Sequence, residues 1–434
     1  MTMPADAHAV MRSPDYLKLL VLAAIVGAPI AAAAYAFLWA VDELQDWLFT
    51  DLPHDLGFDR APTWWPVPLL VLAGLLVGLT IRYLPGRGGE SPADGFTPGQ
   101  APPTPIELPS IFLAALAGLS LGVVIGPEAP LIALGGGLGV CAVRLAARDA
   151  PPQTATVIAA AGSFSAISTL LGSPLLGAFL LMEASGLAGA TMALVLIPGL
   201  VAAGVGSLIF IGLDSWTGLG TFSLVVPDLP AVGTPTVAEF GWAIAIGLVA
   251  AIVSTGIRRL ALLLRSHVEP RTVLLTPVVG LAIAGVAIAF AEVADESPSL
   301  VLLIVFKGLA YSLALSAFRG GPIFPAMFLG AVGGLALSHL PGLGLIAGAA
   351  MGIGAMTAAM LRLPMTSVLL ATLLLLSSGL DAMPLVIVSV AVAYVAAERL
   401  MPTATVGEPP PVEPPAAEPG AVPGAADVPA TRSP

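Results

Sequence analysis

Apolar residues fill most of this chain in long runs, and short polar or Gly/Pro-containing stretches separate them. The runs cover residues 16–40, 66–84, 111–146, 155–183, 189–213, 237–265, 272–291, 299–317, 322–361 and 363–398. Several exceed the roughly 20 residues that a membrane-spanning helix needs, whereas others are interrupted by glycine and proline. The pattern predicts an all-α, polytopic membrane protein with more than ten helices, of which only some cross the bilayer completely.

Two segments of the chain repeat each other. Residues 126–135 and 321–330 both follow the pattern G-P-x-x-P-x-x-x-L-G, 195 positions apart. The Gly and Pro that bound residues 162–174 recur at 352–364 with an offset of 190. Broken helices at matching positions of two repeats are the best sequence indicator of a transport site in a membrane protein. We therefore predict two inverted-topology repeats with broken and tilted helices.

The changes in composition predict five regions. Residues 1–15 form a polar lead, and 16–215 form the first membrane repeat. A linker at 216–236 precedes the second repeat, which occupies 237–401. Residues 402–434 are rich in Pro and Ala, and they have too few bulky apolar side chains to offset the entropy of folding. This last segment is predicted to be a disordered tail.

The composition supports a membrane protein and excludes other classes. Hydrophobic residues make up 57% of the chain and charged residues only 10%, against about 25% in soluble proteins. The single cysteine, Cys141, excludes a disulfide or a thiolate metal site. The net charge of −11 is spread over loops and the tail, so no nucleic-acid partner is indicated. Basic residues cluster in loops that the positive-inside rule places in the cytoplasm: Arg144, Arg148, Arg258, Arg259, Arg265 and Arg271.

Glu128 is the residue that points most directly to function. It lies in an apolar stretch, directly after Gly126-Pro127, and an ionisable group at membrane depth is costly enough to indicate a function. Proline suits the first position of a helix, so Glu128 is expected in a first turn, where free N–H groups favour an anion. Two interpretations are open: a gate that a permeant anion or protonation displaces, or a structural cap. We favour the gate.

The second copy of the motif has Ile323-Phe324 where the first has Glu128-Ala129, so no carboxylate blocks its helix start. The backbone N–H groups of these four residues are the expected donors to an anion, because the prolines before them have none. The predicted anion-binding residues are Gly126, Glu128, Ala129, Gly321, Ile323 and Phe324.

These segments resemble the CLC family of voltage-gated chloride channels and chloride/proton antiporters, over roughly residues 70–400. The G-P-E-A-P run at 126–130 is similar to the family's G-K/R-E-G-P motif, which places Glu128 at the external gating glutamate. The runs at 320–325 and 172–177 are similar to its G-G-x-F-x-P and N-A-P-L-A-G motifs. The resemblance implies a homodimer in the lipid bilayer of the plasma membrane that moves chloride or similar small anions without a cofactor.

Several positions depart from the family's motifs. The residues on either side of Glu128 differ from the family's basic residue and glycine. The family's central serine aligns with Gly89, and Ser91 would replace it only if the loop shifts. The central tyrosine has no counterpart near the end of the second repeat, where Thr403 and Thr405 are the available substitutes.

Two more charges at membrane depth have open roles. In the register that Pro174 sets, Ala184 takes the position of the family's internal proton-transfer glutamate, and a shift of one residue would give that role to Glu183. Lys307 has three candidate roles: it raises the local potential for anions, it pairs with an acid such as Glu183, or it snorkels to the membrane surface.

We expect a passive, channel-like chloride conductor rather than a chloride/proton antiporter, because the relay glutamate, the central serine and the central tyrosine all lack a clear match. A membrane hydrolase is the remote alternative, suggested by the serines of the G-S-F-S run at 162–165. No histidine lies at membrane depth to activate them, so we expect no enzyme activity. The histidines are His8, His54, His267 and His339.

Overall fold

The computed structural model describes residues 7–95, 101–146, 150–187, 189–217, 226, 229–230, 232–296 and 299–401. Within these ranges the chain is built from α-helices, which confirms the predicted fold class. The helices are α1 Ala7–Met11, α2 Pro14–Asp46, α3 Leu52–Asp55, α4 Pro66–Tyr83, α5 Leu108–Ser120, α6 Glu128–Ala146, α7 Pro152–Leu171, α8 Pro174–Ser185, α9 Gly189–Thr217, α10 Val237–Val268, α11 Thr272–Glu296, α12 Leu300–Ala317, α13 Ile323–Leu337, α14 Leu345–Leu361, α15 Pro364–Leu374 and α16 Leu376–Leu400. The predicted linker lies mostly outside the described residues, and the tail at 402–434 lies wholly outside them.

The described chain contains both full-length and short apolar helices. Eight segments of the described chain are long and apolar enough to cross a membrane: Pro14–Asp55, Pro66–Tyr83, Glu128–Ala146, Pro152–Leu171, Met192–Leu213, Val237–Ala294, Leu300–Ala317 and Ser378–Leu400. Helices α5, α8, α13, α14 and α15 have only 11 to 17 residues. At 1.5 Å per residue they fall short of a hydrocarbon layer of about 30 Å. The predicted mixture of spanning and broken helices is therefore confirmed.

The packing of α6 on α7 is repeated by the packing of α13 on α14. Gly135 lies against the carbonyl of Gly162, so closely that a Cβ would overlap it. Gly330 lies in the same way against the carbonyl of Gly352. One turn further the contact recurs in both pairs, through Gly139 with Ile158 and through Gly334 with Gly348. Residues related by the sequence offsets of 195 and 190 therefore make equivalent contacts in the two repeats. Each helix pair uses the G-x-x-x-G spacing that lets membrane helices approach closely.

Each repeat also breaks a helix at the equivalent position. Helix α7 ends at Gly172, whose φ is 63°, and α8 begins at Pro174. Helix α14 ends at Arg362, whose φ is 62°, and α15 begins at Pro364. A non-glycine residue in this left-handed region costs about 1–2 kcal/mol. The Arg362 guanidinium donates to Glu398 and to two backbone carbonyls at the end of α16, and these bonds hold the turn.

Candidate anion-binding site

The two repeats meet at the first residues of their shared motif. Gly126 N donates to Gly321 O at 2.8 Å, and Gly321 N donates to Gly126 O at 2.6 Å. A reciprocal, antiparallel pair of this kind has a local two-fold axis. The two glycines are equivalent residues of the repeats, so the axis that relates the repeats passes between them. A Cβ at either glycine would overlap the Glu128 carboxyl group in its present position, so the absence of a side chain at both positions makes room for that carboxyl group.

Glu128 begins α6, and its side chain is completely buried. Its Oε1 accepts hydrogen bonds from the N–H groups of Ile323 and Phe324, the latter at 3.1 Å. Its Oε2 is buried without a hydrogen-bond partner in the described part of the chain. The carboxylate of the first repeat therefore occupies the helix start of the second, where free N–H groups and the helix dipole favour an anion.

The start of α13 has no cap from its own segment. The residue before it, Pro322, has no N–H and provides no capping side chain, and Glu128 takes that place. The Pro322 carbonyl accepts a hydrogen bond of 2.8 Å from the hydroxyl of Tyr311, which is completely buried. Tyr311 thereby fixes the peptide that directly precedes the two amides that hold Glu128.

The structure brings most of the predicted anion-binding residues together. Ile323 and Phe324 donate to the carboxylate of Glu128, and the two glycines of the motif flank it. Ala129 lies in the first turn of α6 and lines the adjacent cavity. The geometry fits both a gate and a structural cap. The same two hydrogen bonds would pair the free N–H groups at the start of α13 and would also occupy the place of a bound anion. The gating role of Glu128 therefore stays a prediction.

A cavity of about 930 Å³ lies beside this junction. Its wall includes Ala129 and Pro322, the end of α8, and residues 86–92 of the loop between α4 and α5. It also includes Arg265, near the end of α10, in the region that the positive-inside rule places in the cytoplasm. Because a water molecule takes about 30 Å³, the cavity is large enough for a hydrated ion. It extends from beside Glu128 to the loops predicted to be cytoplasmic.

The loop at 86–92 lacks the family's central serine. Gly89, at the serine position, lines the cavity but offers no hydroxyl. Ser91 also lines the cavity, and its buried hydroxyl has no hydrogen-bond partner among the described residues. Thr403 and Thr405, the candidates for the central tyrosine, lie outside the described residues.

Glu183 faces the start of another broken helix. Its Oε1 accepts from Met365 N at 2.9 Å, and its Oε2 accepts from the N–H and the hydroxyl of Thr366 at 2.8 and 2.7 Å. Glu183 therefore caps α15, as Glu128 caps α13. The next residue, Ala184, lines the cavity.

Among the described residues no ion pair joins Lys307 to Glu183, so the structure gives this alternative no support. The carboxylate of Glu183 is committed to α15, whereas the Lys307 Nζ lies 5.4 Å from the ring centroid of Phe328. A cation over an aromatic face is a stabilising contact in itself. An electrostatic effect of Lys307 on anions stays a prediction.

Neither Tyr311 nor Glu90 is among the residues that the motifs predict. Tyr311 is an isolated tyrosine in an apolar helix, and nothing in the sequence places its hydroxyl at the start of α13. Glu90 does leave a signal: the run at 88–92 resembles the family's G-S-G-x-P motif, and Glu90 is an acid where that motif has its second glycine.

The serines behind the hydrolase alternative have structural contacts. The hydroxyl of Ser163 donates to the carbonyl of Ile132 on α6, and that of Ser165 to the carbonyl of Gly27 on α2, each at 2.8 Å. Both bonds join neighbouring helices, so they give a hydrolase no support.

Comparison with known proteins places this architecture in a family. The family model described as "Voltage gated chloride channel" matches residues 73–398. The chain belongs to this family. Among curated relatives, the protein named "Putative ion-transport protein YfeO" in Salmonella newport and in Salmonella agona is 31% identical over 347 residues. The match covers 75% of this chain and 82% of each relative.

Solved structures of this family share the fold. A slow cyanobacterial Cl⁻/H⁺ antiporter matches with a TM-score of 0.72 at 19% identity, over 88% of this chain and 95% of that one. A CLC-type fluoride/proton antiporter matches with a TM-score of 0.64 at 18% identity, over 88% and 96%. These likenesses confirm the polytopic, inverted-repeat architecture.

Proposed function

We propose that this protein conducts small anions, chloride foremost, and that the Glu128 carboxylate gates the pathway. One observation carries the proposal: the buried carboxylate occupies the N-terminal amides of α13, which is the place a helix start offers to a free anion. A chloride ion would use the same donors, the N–H groups of Ile323 and Phe324, once the carboxylate leaves. Gating is then a competition between a tethered anion and a free one.

Two conditions favour release of the carboxylate. A high chloride concentration displaces it by mass action. Protonation also weakens its hold, because a neutral acid loses the charge that the helix start attracts and that strengthens both hydrogen bonds. Anion flux should therefore rise as the pH falls.

The end of α8 supports passive conduction over proton exchange. Ala184, in the position of the family's internal proton-transfer glutamate, lines the cavity, and its side chain carries no proton. The neighbouring Glu183 accepts three hydrogen bonds from the start of α15, which hold its carboxylate there rather than in the cavity wall.

Coupled chloride/proton exchange is the second candidate function. Two solved relatives are named as antiporters, and Glu183 lies between Met182 and Ala184, which both line the cavity. Proton movement that accompanies chloride at a fixed ratio would favour this function.

We further propose a homodimer in the cell membrane, with voltage-dependent opening, as the family resemblance implies. Helices α8 and α15 carry the exposed side chains of Leu175 and Met365, 52% and 57% accessible, which a second copy would cover. Cross-linking in intact membranes tests the dimer, and current recordings at stepped voltages test the opening.

The experiment that tests conduction is chloride efflux from liposomes that contain the purified protein. Valinomycin and potassium clamp the voltage, so that efflux reports the anion pathway alone. We expect efflux well above that of protein-free liposomes, with bromide and nitrate as further test ions. Equal efflux from the two preparations would contradict the proposal.

A further inference from the structure

The wall of the cavity beside the gate carries balanced charges. Of the described residues, three guanidinium groups and three carboxylates line it: Arg87, Arg265, Arg319, Glu90, Glu107 and Glu269. The formal charge of these six groups is zero while all three carboxylates are ionised, and Asp94, which pairs with Arg265, brings the local total to −1. The gain of one proton removes one negative charge from this wall, and a less negative wall raises the local concentration of anions.

Most of these charges are held by close partners. Arg265 lies 2.6 Å from Asp94 and 3.5 Å from Glu269. The carboxylate of Glu107 accepts a hydrogen bond of 2.6 Å from the N–H of Thr104. These contacts hold the three side chains in place in the cavity wall.

Glu90 differs from these groups. No hydrogen bond or ion pair holds its carboxylate in the described part of the chain, and its strongest charged neighbours are Asp94 and Arg319. The other charges of the lining are Arg87 in the same loop as Glu90, Glu107 in the segment before α5, Arg265 in the last turn of α10, and Glu269 directly after that helix. Glu90 therefore lies in the cavity wall with its carboxylate free to change its protonation state.

The surroundings of Glu90 also favour its neutral form. Partial burial raises the pKa of Glu90 above its ordinary value, repulsion by Asp94 raises it further, and the guanidinium of Arg319 opposes both effects. Its charge is thus lost at a higher pH than that of an isolated glutamate.

We propose that Glu90 is a second proton-sensitive carboxylate of the pathway, which sets how readily anions occupy the cavity beneath the gate. Protonation of Glu90 removes one negative charge from the cavity wall, so anions accumulate. Ionisation of Glu90 restores that charge, so flux falls as the pH rises. The inference rests on the proposed anion conduction and adds a control point separate from Glu128.

The test uses the Glu128→Gln background, in which the gate no longer titrates. Chloride efflux from liposomes is measured with the same pH on both sides, from pH 4 to 8. We expect efflux to fall about fivefold as the pH rises over this range. This is the effect estimated for one unit charge roughly 10 Å from the permeating anion in a partly screened cavity. The fall should vanish in Glu128→Gln/Glu90→Gln. It should persist with Glu128→Gln/Glu239→Gln, which removes a carboxylate at the start of α10, outside the cavity wall.

A fall of equal size with and without Glu90, or no fall in Glu128→Gln itself, would overturn this role. Calorimetric titration of chloride into the same purified variants at pH 5 and pH 8 compares their chloride affinities without a transport assay. Chloride affinity should depend on pH only in the variants that retain Glu90. The absence of efflux from every variant and from the wild-type protein would overturn the proposed function instead.

Discussion

The substitution Glu128→Gln should open the pathway at neutral pH. Glutamine keeps the shape of the side chain but removes its charge, so it mimics the protonated gate. The carboxylate Oε1 accepts hydrogen bonds from two backbone N–H groups of α13, and the Oε2 has no partner among the described residues. In the glutamine variant the neutral amide oxygen would accept weaker hydrogen bonds at the Oε1 position. The amide nitrogen would place a donor without a partner at the Oε2 position.

The size of the effect follows from these contacts. A hydrogen bond to a charged group contributes about 1.5–3 kcal/mol and one between neutral groups about 0.5–1.5 kcal/mol, so two weakened bonds cost about 2 kcal/mol. A buried amide donor without a partner adds about 1–3 kcal/mol. Because about 1.4 kcal/mol corresponds to a tenfold change in an equilibrium constant, the ratio of closed to open gates falls by roughly two to three orders of magnitude. Flux saturates once the gate is open, so we expect it to rise at least about tenfold at pH 7.5.

Chloride efflux from liposomes between pH 4 and 8 measures this directly. Wild-type efflux should be low at pH 7.5 and rise as the pH falls, whereas Glu128→Gln should be high throughout and keep only the weaker dependence assigned to Glu90. Glu239→Gln serves as the matched control, because its carboxylate is exposed and forms the capping box of α10. Identical efflux from wild-type and Glu128→Gln protein across the range would refute the gate and leave Glu128 as a cap.

Three further predictions concern the amides, the second cap and the repeat. In the Glu128→Gln background, Ala129→Pro and Phe324→Pro each remove a backbone donor and should weaken chloride binding about tenfold or more. Phe324→Ala is the control, because it keeps the donor. Equal chloride affinities of the proline variants and the control, measured by calorimetry, would exclude an amide site. Glu183→Gln should lower the free energy of unfolding by about 1–2 kcal/mol, because it weakens the cap of α15. It should leave the pH dependence of chloride flux unchanged. A flatter pH profile of the flux would return the proton-relay role to Glu183. Gly330→Ala should cost about 1–3 kcal/mol, because its Cβ would overlap the carbonyl of Gly352, whereas a Cβ at Gly333 meets open space. Similar melting temperatures of Gly330→Ala and Gly333→Ala would contradict the helix contact.

The sequence could predict the helix starts and the repeat, because both depend on local chemistry. Proline fixes the first position of a helix, so the pattern around Glu128 locates a first turn without knowledge of the fold. Gly126 and Gly321 are found by the offset between the copies, and the structure pairs these two residues.

The partners of the buried charges could not be predicted in the same way. Glu183 reaches Thr366, which is 183 residues away, and a helix pattern does not show which distant side chain will cap a given helix. Tyr311 holds the start of α13 through a contact that only the packing of α12 creates. Lys307 has an aromatic partner for the same reason: the neighbour that satisfies a charge inside a bundle is chosen by tertiary structure.

The most direct test of passive anion conduction gated by a carboxylate is chloride flux with simultaneous pH recording in proteoliposomes. A chloride gradient is imposed, the voltage is clamped with valinomycin, and chloride and protons are followed together. We expect chloride to move down its gradient, faster at low pH, without proton movement at a fixed ratio. Uphill proton movement that the chloride gradient drives, at a constant ratio and abolished in Glu183→Gln, would contradict passive conduction and establish coupled exchange.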